Sequence, residues 1–129
     1  MEGVASQTFD LNRVGGAPCV DVLETTFPMF TAGALSAVAP KHVFTTRALS
    51  FRGERMADDF GALAALMDVS DDRLIRVSQV HGRRVLVVTP DVALPPVSEA
   101  DAIVCTDPAR AVVVRVADCV PILIGDRHT

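Results

Sequence analysis

The sequence predicts an α+β or mixed α/β fold, because strand-like segments precede one helical segment and a dense series of strands follows it. In the helical segment, apolar residues recur at intervals of four, three and four positions: Met56, Phe60, Leu63 and Met67. From Leu74 onward the apolar residues fall in short β-branched runs, which are typical of strands. One helix set among many strands therefore defines the predicted architecture.

The segment before the helix is predicted to contain two strands. Residues 19–23 alternate between apolar and polar positions, and residues 42–46 are rich in β-branched and aromatic side chains. Residues 1–17 are expected to be a weakly ordered start or an edge strand, and residues 31–40 a small-residue loop or short helix. His42 is expected at the surface, and Asp58 and Asp59 on a solvated helix face.

After the helix, five strands are predicted, at residues 74–80, 84–88, 102–105, 111–116 and 120–124. Residues 90–97 contain three prolines and are predicted to be a loop. The last two strands have the apolar composition of strands buried on both faces. Such strands need neighbours and covering helices, yet five residues follow position 124. We therefore expect residues 1–129 to be the N-terminal part of a larger domain.

Composition excludes several functional classes. The 129 residues carry a net charge of −4, which argues against a general electrostatic interaction with nucleic acid or a membrane surface. The sequence has neither an apolar run of about 20 residues nor the layout of a signal peptide. The odd number of three cysteines does not suggest a disulfide framework, so a reducing cytoplasm is the expected location.

Two reactive side chains stand out. His81 lies in Gln-Val-His-Gly between two predicted strands, where Gly82 would let the backbone bend and leave the imidazole facing a cleft; the alternative is a surface turn histidine. Cys119 could be a small core residue, but the ionisable Asp118 beside it is costly to bury and suggests a site. Imidazole and thiolate together suit Zn²⁺, although two ligands do not complete a zinc site.

Three segments, in this order and spacing, resemble the laccase-domain family: Gln-Val-His-Gly at residues 79–82, Glu-Ala-Asp-Ala at residues 99–102, and Ala-Asp-Cys-Val-Pro at residues 117–121. Phe-Thr-Thr-Arg at residues 44–47 is similar to a further segment of that family. Its members were long labelled multicopper polyphenol oxidoreductases and are now mostly described as purine nucleoside phosphorylases with adenosine deaminase side activity.

The resemblance implies layered mixed sheets with outer helices and a Zn²⁺ ion held by His, Cys and His. Carried onto this sequence, His81 and Cys119 are the first two metal ligands. Arg47 becomes a candidate for binding phosphate, and Asp118 for orienting a ligand or accepting a proton, with a structural role for Asp118 equally open. The implied substrates are purine nucleosides and phosphate, converted to free base and ribose 1-phosphate.

The chain departs from the family pattern in two places. Residues 48–53 replace the family's Gly-Gly-Val-Ser-like turn. The family's third ligand lies in a His-Ala-Gly-Trp-Arg-Gly motif that is not found here, since the chain has no Trp, and His128 lacks the flanking residues of that motif. Two alternatives stay open: a copper-dependent, laccase-like oxidoreductase, although three histidines are few for that chemistry, and a non-catalytic binding module.

Overall fold

A computed structural model of the chain describes residues 21–24, 27–39, 41–94 and 97–127, with side chains described from Phe27 onward. The described residues fall into two compact units, divided between Ala48 and Leu49. Strands in several sheets accompany one α-helix in these ranges, which confirms the predicted mixed fold. The predictions for residues 1–17 and for positions 19 and 20 lie outside the described residues.

The first unit contains an antiparallel sheet in the order β1-β2-β3. These strands are Asp21–Glu24, Pro28–Thr31 and Phe44–Thr45. β1 overlaps the strand predicted at residues 19–23, and β3 lies within the strand predicted at residues 42–46. β2 was not predicted. It begins at a proline, which a strand tolerates at its first residue, and buries Met29. A short 3₁₀-helix at Gly33–Leu35 confirms that residues 31–40 contain a helical turn.

His42 is buried, so the expectation of a surface histidine is wrong. Its Nε2 accepts a hydrogen bond from the Ala32 N–H at 2.8 Å, and its Nδ1 lies 2.7 Å from the carbonyl oxygen of Ala39. Both ring nitrogens thus have backbone partners, which is what a buried imidazole requires. His42 joins the two ends of the loop that contains the 3₁₀-helix.

The second unit contains the predicted helix, α1, at Met56–Leu66. Its buried face includes Phe60, Leu63 and Asp59. The expectation of a solvated Asp59 is therefore wrong, because its carboxylate accepts hydrogen bonds from the N–H groups of Ser50 and Phe51, at 2.8 and 2.9 Å. The helix thereby holds the loop that precedes it through one buried carboxylate.

Parallel strands make up both sheets of the second unit. β4 (Leu74–Ser78) is central, with β6 (Ser98–Glu99) on one side and β8 (Ala111–Val113) on the other. β5 (Val85–Val88) pairs with β7 (Ala102–Cys105) in a separate two-stranded sheet. Four of the five predicted strands are thus present, and β6 was not predicted.

The last part of the second unit differs from the prediction. β8 ends at Val113 instead of reaching residue 116, and residues 120–124 form no strand. Val120 and Ile124 are 83% and 91% exposed, so a strand buried on both faces is wrong for this structure. The physical reason is that the described residues offer this segment no partner strand, because a strand forms only where a neighbour takes its backbone hydrogen bonds.

No described helix is long and apolar enough to span a bilayer.

Candidate active site

His81 and Cys119 follow two neighbouring parallel strands of one sheet. Arg76 of β4 is level with Val113 of β8, and both strands run in the same direction. His81 follows the carboxyl end of β4 by three residues, and Cys119 follows the carboxyl end of β8 by six. Because the carboxyl ends of parallel strands meet at one edge, ligands of α/β proteins commonly bind there. The segments that carry these two residues therefore both leave the sheet at its carboxyl edge.

The backbone at His81 has a left-handed conformation, with φ of 55°. This conformation costs a non-glycine residue about 1–2 kcal/mol unless its surroundings compensate. The carboxylate of Asp101 does so by accepting hydrogen bonds from the N–H groups on either side of His81. Its Oδ1 lies 3.1 Å from the Val80 nitrogen, and its Oδ2 lies 2.9 Å from the Gly82 nitrogen. Successive N–H groups around a left-handed residue form a nest for an anion, and Asp101 fills it.

Gly82 has a different role from the one predicted. The bend lies at His81 itself, and Gly82 is not among the residues with positive φ. A Cβ added at Gly82 would lie 3.3 Å from Oδ2 of Asp101, closer than most real contacts of a Cβ. Glycine at this position therefore lets the carboxylate approach the backbone without the shift of a few tenths of an ångström that a Cβ would require.

The segment that leads to Cys119 is anchored by the side chain of Arg115. Nη1 of Arg115 donates a hydrogen bond to the carbonyl oxygen of Phe51, with a distance of 3.1 Å. The guanidinium carbons of Arg115 and Arg76 lie 6.0 and 4.4 Å from the centroid of the Phe60 ring, a cation–π arrangement. Arg115 thus fixes the chain four residues before Cys119.

Asp118 and Cys119 are both exposed, and Cys119 is a free thiol. The argument that Asp118 must be a site because its burial is costly does not apply to this conformation. Cys105, which the sequence indicates to be structural, is partly buried at the end of β7, with its sulfur 3.5 Å from the Asp107 carbonyl oxygen. The two cysteines thus differ in accessibility, with Cys119 open to solvent and Cys105 partly covered.

Arg47, the predicted anion-binding residue, lies in the first unit and is exposed. Thr46 beside it is fixed, because its hydroxyl donates to the Pro28 carbonyl oxygen at 3.0 Å and accepts from the Ala48 N–H at 3.3 Å. The backbone on either side of Arg47 is therefore tied to β2, while the guanidinium is open to solvent.

The donor types at the sheet edge fit Zn²⁺, because imidazole and thiolate are its usual protein ligands. Within the described ranges, however, no group of three or more His, Cys, Asp or Glu side chains is placed to hold a metal ion. The side-chain chemistry of His81 and Cys119 thus fits zinc, and further donors are required to complete a site. Sequence reasoning missed the contribution of Asp101, although this residue lies within a segment singled out by the family resemblance.

Comparisons with known proteins identify the family. The protein family described as multi-copper polyphenol oxidoreductase laccase matches residues 52–129 of this chain. The chain is similar to a purine nucleoside phosphorylase of Corynebacterium glutamicum, with 35% identity over an alignment of 103 residues; the match covers 67% of this chain and 42% of that protein. A purine nucleoside phosphorylase of Streptomyces coelicolor is 36% identical over an alignment of 81 residues, and the match covers 57% of this chain and 34% of the relative. The matched segments thus span less than half of either relative. No solved structure matches significantly.

Proposed function

Because the chain belongs to the multicopper polyphenol oxidoreductase laccase family, we propose that it contributes part of the active site of a zinc-dependent purine nucleoside phosphorylase. The curated relatives with that name support the reaction class. One structural observation carries the proposal to particular residues: His81 and Cys119 follow adjacent parallel strands at one sheet edge.

In this proposal His81 and Cys119 are two zinc ligands. The third ligand lies outside these 129 residues, which form the N-terminal part of a single domain. A zinc ion held by imidazole and thiolate would supply a Lewis acid for polarising an oxygen or acidifying bound water. A reducing cytoplasm would keep the exposed Cys119 reduced and therefore available to bind a metal.

Two further side chains have proposed roles in phosphorolysis. In this reaction a phosphate oxygen forms a bond to C1′ of the nucleoside while the bond from C1′ to the purine nitrogen breaks. The Arg47 guanidinium would hold phosphate, because its planar pair of N–H donors matches two phosphate oxygens. Asp118, which is exposed next to Cys119, would orient a ligand or accept a proton.

Assays of nucleoside turnover test the reaction. The full-length protein should release purine base from inosine or adenosine only when phosphate is present, with one ribose 1-phosphate formed per base. The 129-residue chain should bind zinc weakly and show little turnover, because it holds two of the ligands. Release of base without phosphate, or robust phosphorolysis by the 129-residue chain alone, would contradict this proposal.

A side activity and a different metal are two accompanying possibilities, and each has its own assay. We propose adenosine deamination as a side activity of this site, measured as ammonia release from adenosine in the absence of phosphate. The family description favours copper as the alternative metal. Metal analysis of protein purified without added metal separates the two, since one equivalent of zinc with no copper excludes the laccase-like alternative, and several bound copper ions would refute the zinc proposal.

A further inference from the structure

We infer that Asp101 is a positioning residue for His81: its carboxylate fixes the left-handed backbone that holds the imidazole at the sheet edge. This inference rests on the proposed role of His81 as a zinc ligand. It assigns to Asp101 an effect on metal affinity that is exerted through the backbone and without contact with the metal.

The contacts of Asp101 support this assignment. Its two carboxylate oxygens are divided between two N–H groups, those of Val80 and Gly82, so the backbone on both sides of His81 is held at once. Neither N–H group belongs to a strand. The carboxylate therefore takes the place of the neighbouring strand that would otherwise hold this part of the chain.

Asp101 is itself fixed in place by the backbone around it. Its N–H donates to the carbonyl oxygen of Arg84 at 2.9 Å, and the preceding Ala100 donates to the carbonyl oxygen of Ser78 at 3.1 Å. Ala100 is fully buried. The segment that carries Asp101 thus bridges the end of β4 and the start of β5, which are the two ends of the His81 turn. A carboxylate so anchored can impose a conformation on the turn.

A ligand held in its binding conformation loses less entropy when the metal binds, and residues that orient metal ligands commonly contribute tenfold to a hundredfold in affinity. The left-handed conformation of His81 is unfavourable by itself. Without Asp101 the turn would therefore populate other conformations, and the imidazole would be presented at the edge only part of the time.

Two substitutions test the contact in different ways. Asp101→Asn removes one of the two acceptor oxygens and the charge. Gly82→Ala retains the carboxylate and its charge but places a Cβ 3.3 Å from Oδ2, so the carboxylate must shift by a few tenths of an ångström. Asp107→Asn is a matched control, because Asp107 also accepts a hydrogen bond from a loop N–H, that of Ala109 at 2.9 Å. Asp101 directly precedes β7, whereas Asp107 follows the other end of this strand.

The measurements are amide hydrogen exchange by NMR, zinc affinity by competition with a chromophoric chelator, and melting temperature, all on the full-length protein. In Asp101→Asn and Gly82→Ala, the backbone amides of residues 80–82 should exchange at least tenfold faster than in the wild type. Zinc should bind these variants about tenfold to a hundredfold more weakly. Asp107→Asn should lower the melting temperature and leave both other quantities at wild-type values. A merely structural role for Asp101 would lower the melting temperature without changing zinc affinity.

His81→Ala separates this inference from the proposed function. If His81→Ala abolishes zinc binding while Asp101→Asn and Gly82→Ala bind zinc as the wild type does, the positioning role is refuted and the zinc proposal stands. If His81→Ala itself binds zinc with wild-type affinity, the zinc proposal is wrong and the inference fails with it. Both the zinc proposal and the positioning role are supported if His81→Ala, Asp101→Asn and Gly82→Ala all bind zinc more weakly. In that case Asp107→Asn should bind zinc with wild-type affinity.

Discussion

At the scale of single residues, buried or anchored polar groups determine the conformation of the loops. Asp101 fixes the turn at His81, Asp59 fixes the loop before α1, and His42 joins the ends of the loop in the first unit. These contacts could not be predicted from composition, because all except that between His42 and Ala39 join residues eight or more positions apart, which the fold must first bring together. Sequence did identify His81 and Cys119, since imidazole and thiol chemistry is evident from residue type.

The stability contributed by Asp59 should depend on pH. The N–H group of Phe51 is the main cause that lowers the pKa of the Asp59 carboxyl below its ordinary value of 3.8; burial acts in the opposite direction, and contacts from Ser50 and Arg55 lower it further. Because the pKa is lower in the folded chain, this stability is present above pH 3.8 and is lost as the pH falls through the folded-state pKa.

Asp59→Asn should therefore reduce the free energy of unfolding at pH 7, with a difference from the wild type that shrinks at pH 3, as measured by urea denaturation. Asp58→Asn is the control, because Asp58 is exposed on the same turn of α1, and it should change stability little at either pH. A deficit of the Asp59→Asn variant that is equal at both pH values would show that the charge of the carboxylate is not what stabilises the loop.

Arg47 should act on phosphate and not on the nucleoside. Arg47→Ala in the full-length protein should raise the KM for phosphate about tenfold or more, and Arg47→Lys should restore only part of the loss, because lysine lacks the planar pair of donors. Arg52→Ala is a control for the loss of an exposed positive charge five residues away in the sequence, and it should leave the KM for phosphate unchanged. Equal rises in the KM for nucleoside and phosphate, or no rise, would count against the proposed phosphate contact.

At the scale of elements, the sequence predicted segments whose pattern is local and failed where a partner decides the outcome. α1 was predicted because its apolar spacing is a property of the helix itself. β2 and β6 were missed because each is short and depends on pairing with a neighbour. The run at residues 120–124 has the composition of a strand but no partner among the described residues, so its apolar side chains are exposed.

This difference in burial can be tested by one substitution made at two positions. Val88 is fully buried in β5, whereas Val120 is 83% exposed. Val88→Thr places a hydroxyl in the core and should cost about 1–3 kcal/mol of folding free energy. Val120→Thr should change it by less than about 0.5 kcal/mol and should reduce aggregation, since it removes apolar surface.

Urea denaturation and light scattering measure these two effects. The exposed run also predicts that the 129-residue chain aggregates readily. Equal destabilisation by the two substitutions, or a sharp two-state melt of a stable monomer at high concentration, would show that residues 120–124 are covered in solution.

At the scale of the whole molecule, the chain corresponds to only part of the proteins that it is similar to. The matched segments span less than half the length of the two curated relatives, and the described residues contain no complete metal-ligand group. The sequence predicted both the family and the need for a further ligand, because a zinc site with an open position takes three protein ligands and two donors were found. Composition could not predict where those donors lie, which follows from the parallel pairing of β4 and β8.

The central claim is that His81 and Cys119 hold zinc, and zinc content in cysteine variants of the full-length protein tests it most directly. Cys119→Ala and Cys119→Ser should each lose most of the bound zinc and the phosphorolysis activity, because neither side chain supplies a thiolate. Cys105→Ala is the matched control and should keep both, since Cys105 is partly buried at the end of β7. Full zinc occupancy in Cys119→Ala would contradict the site assignment.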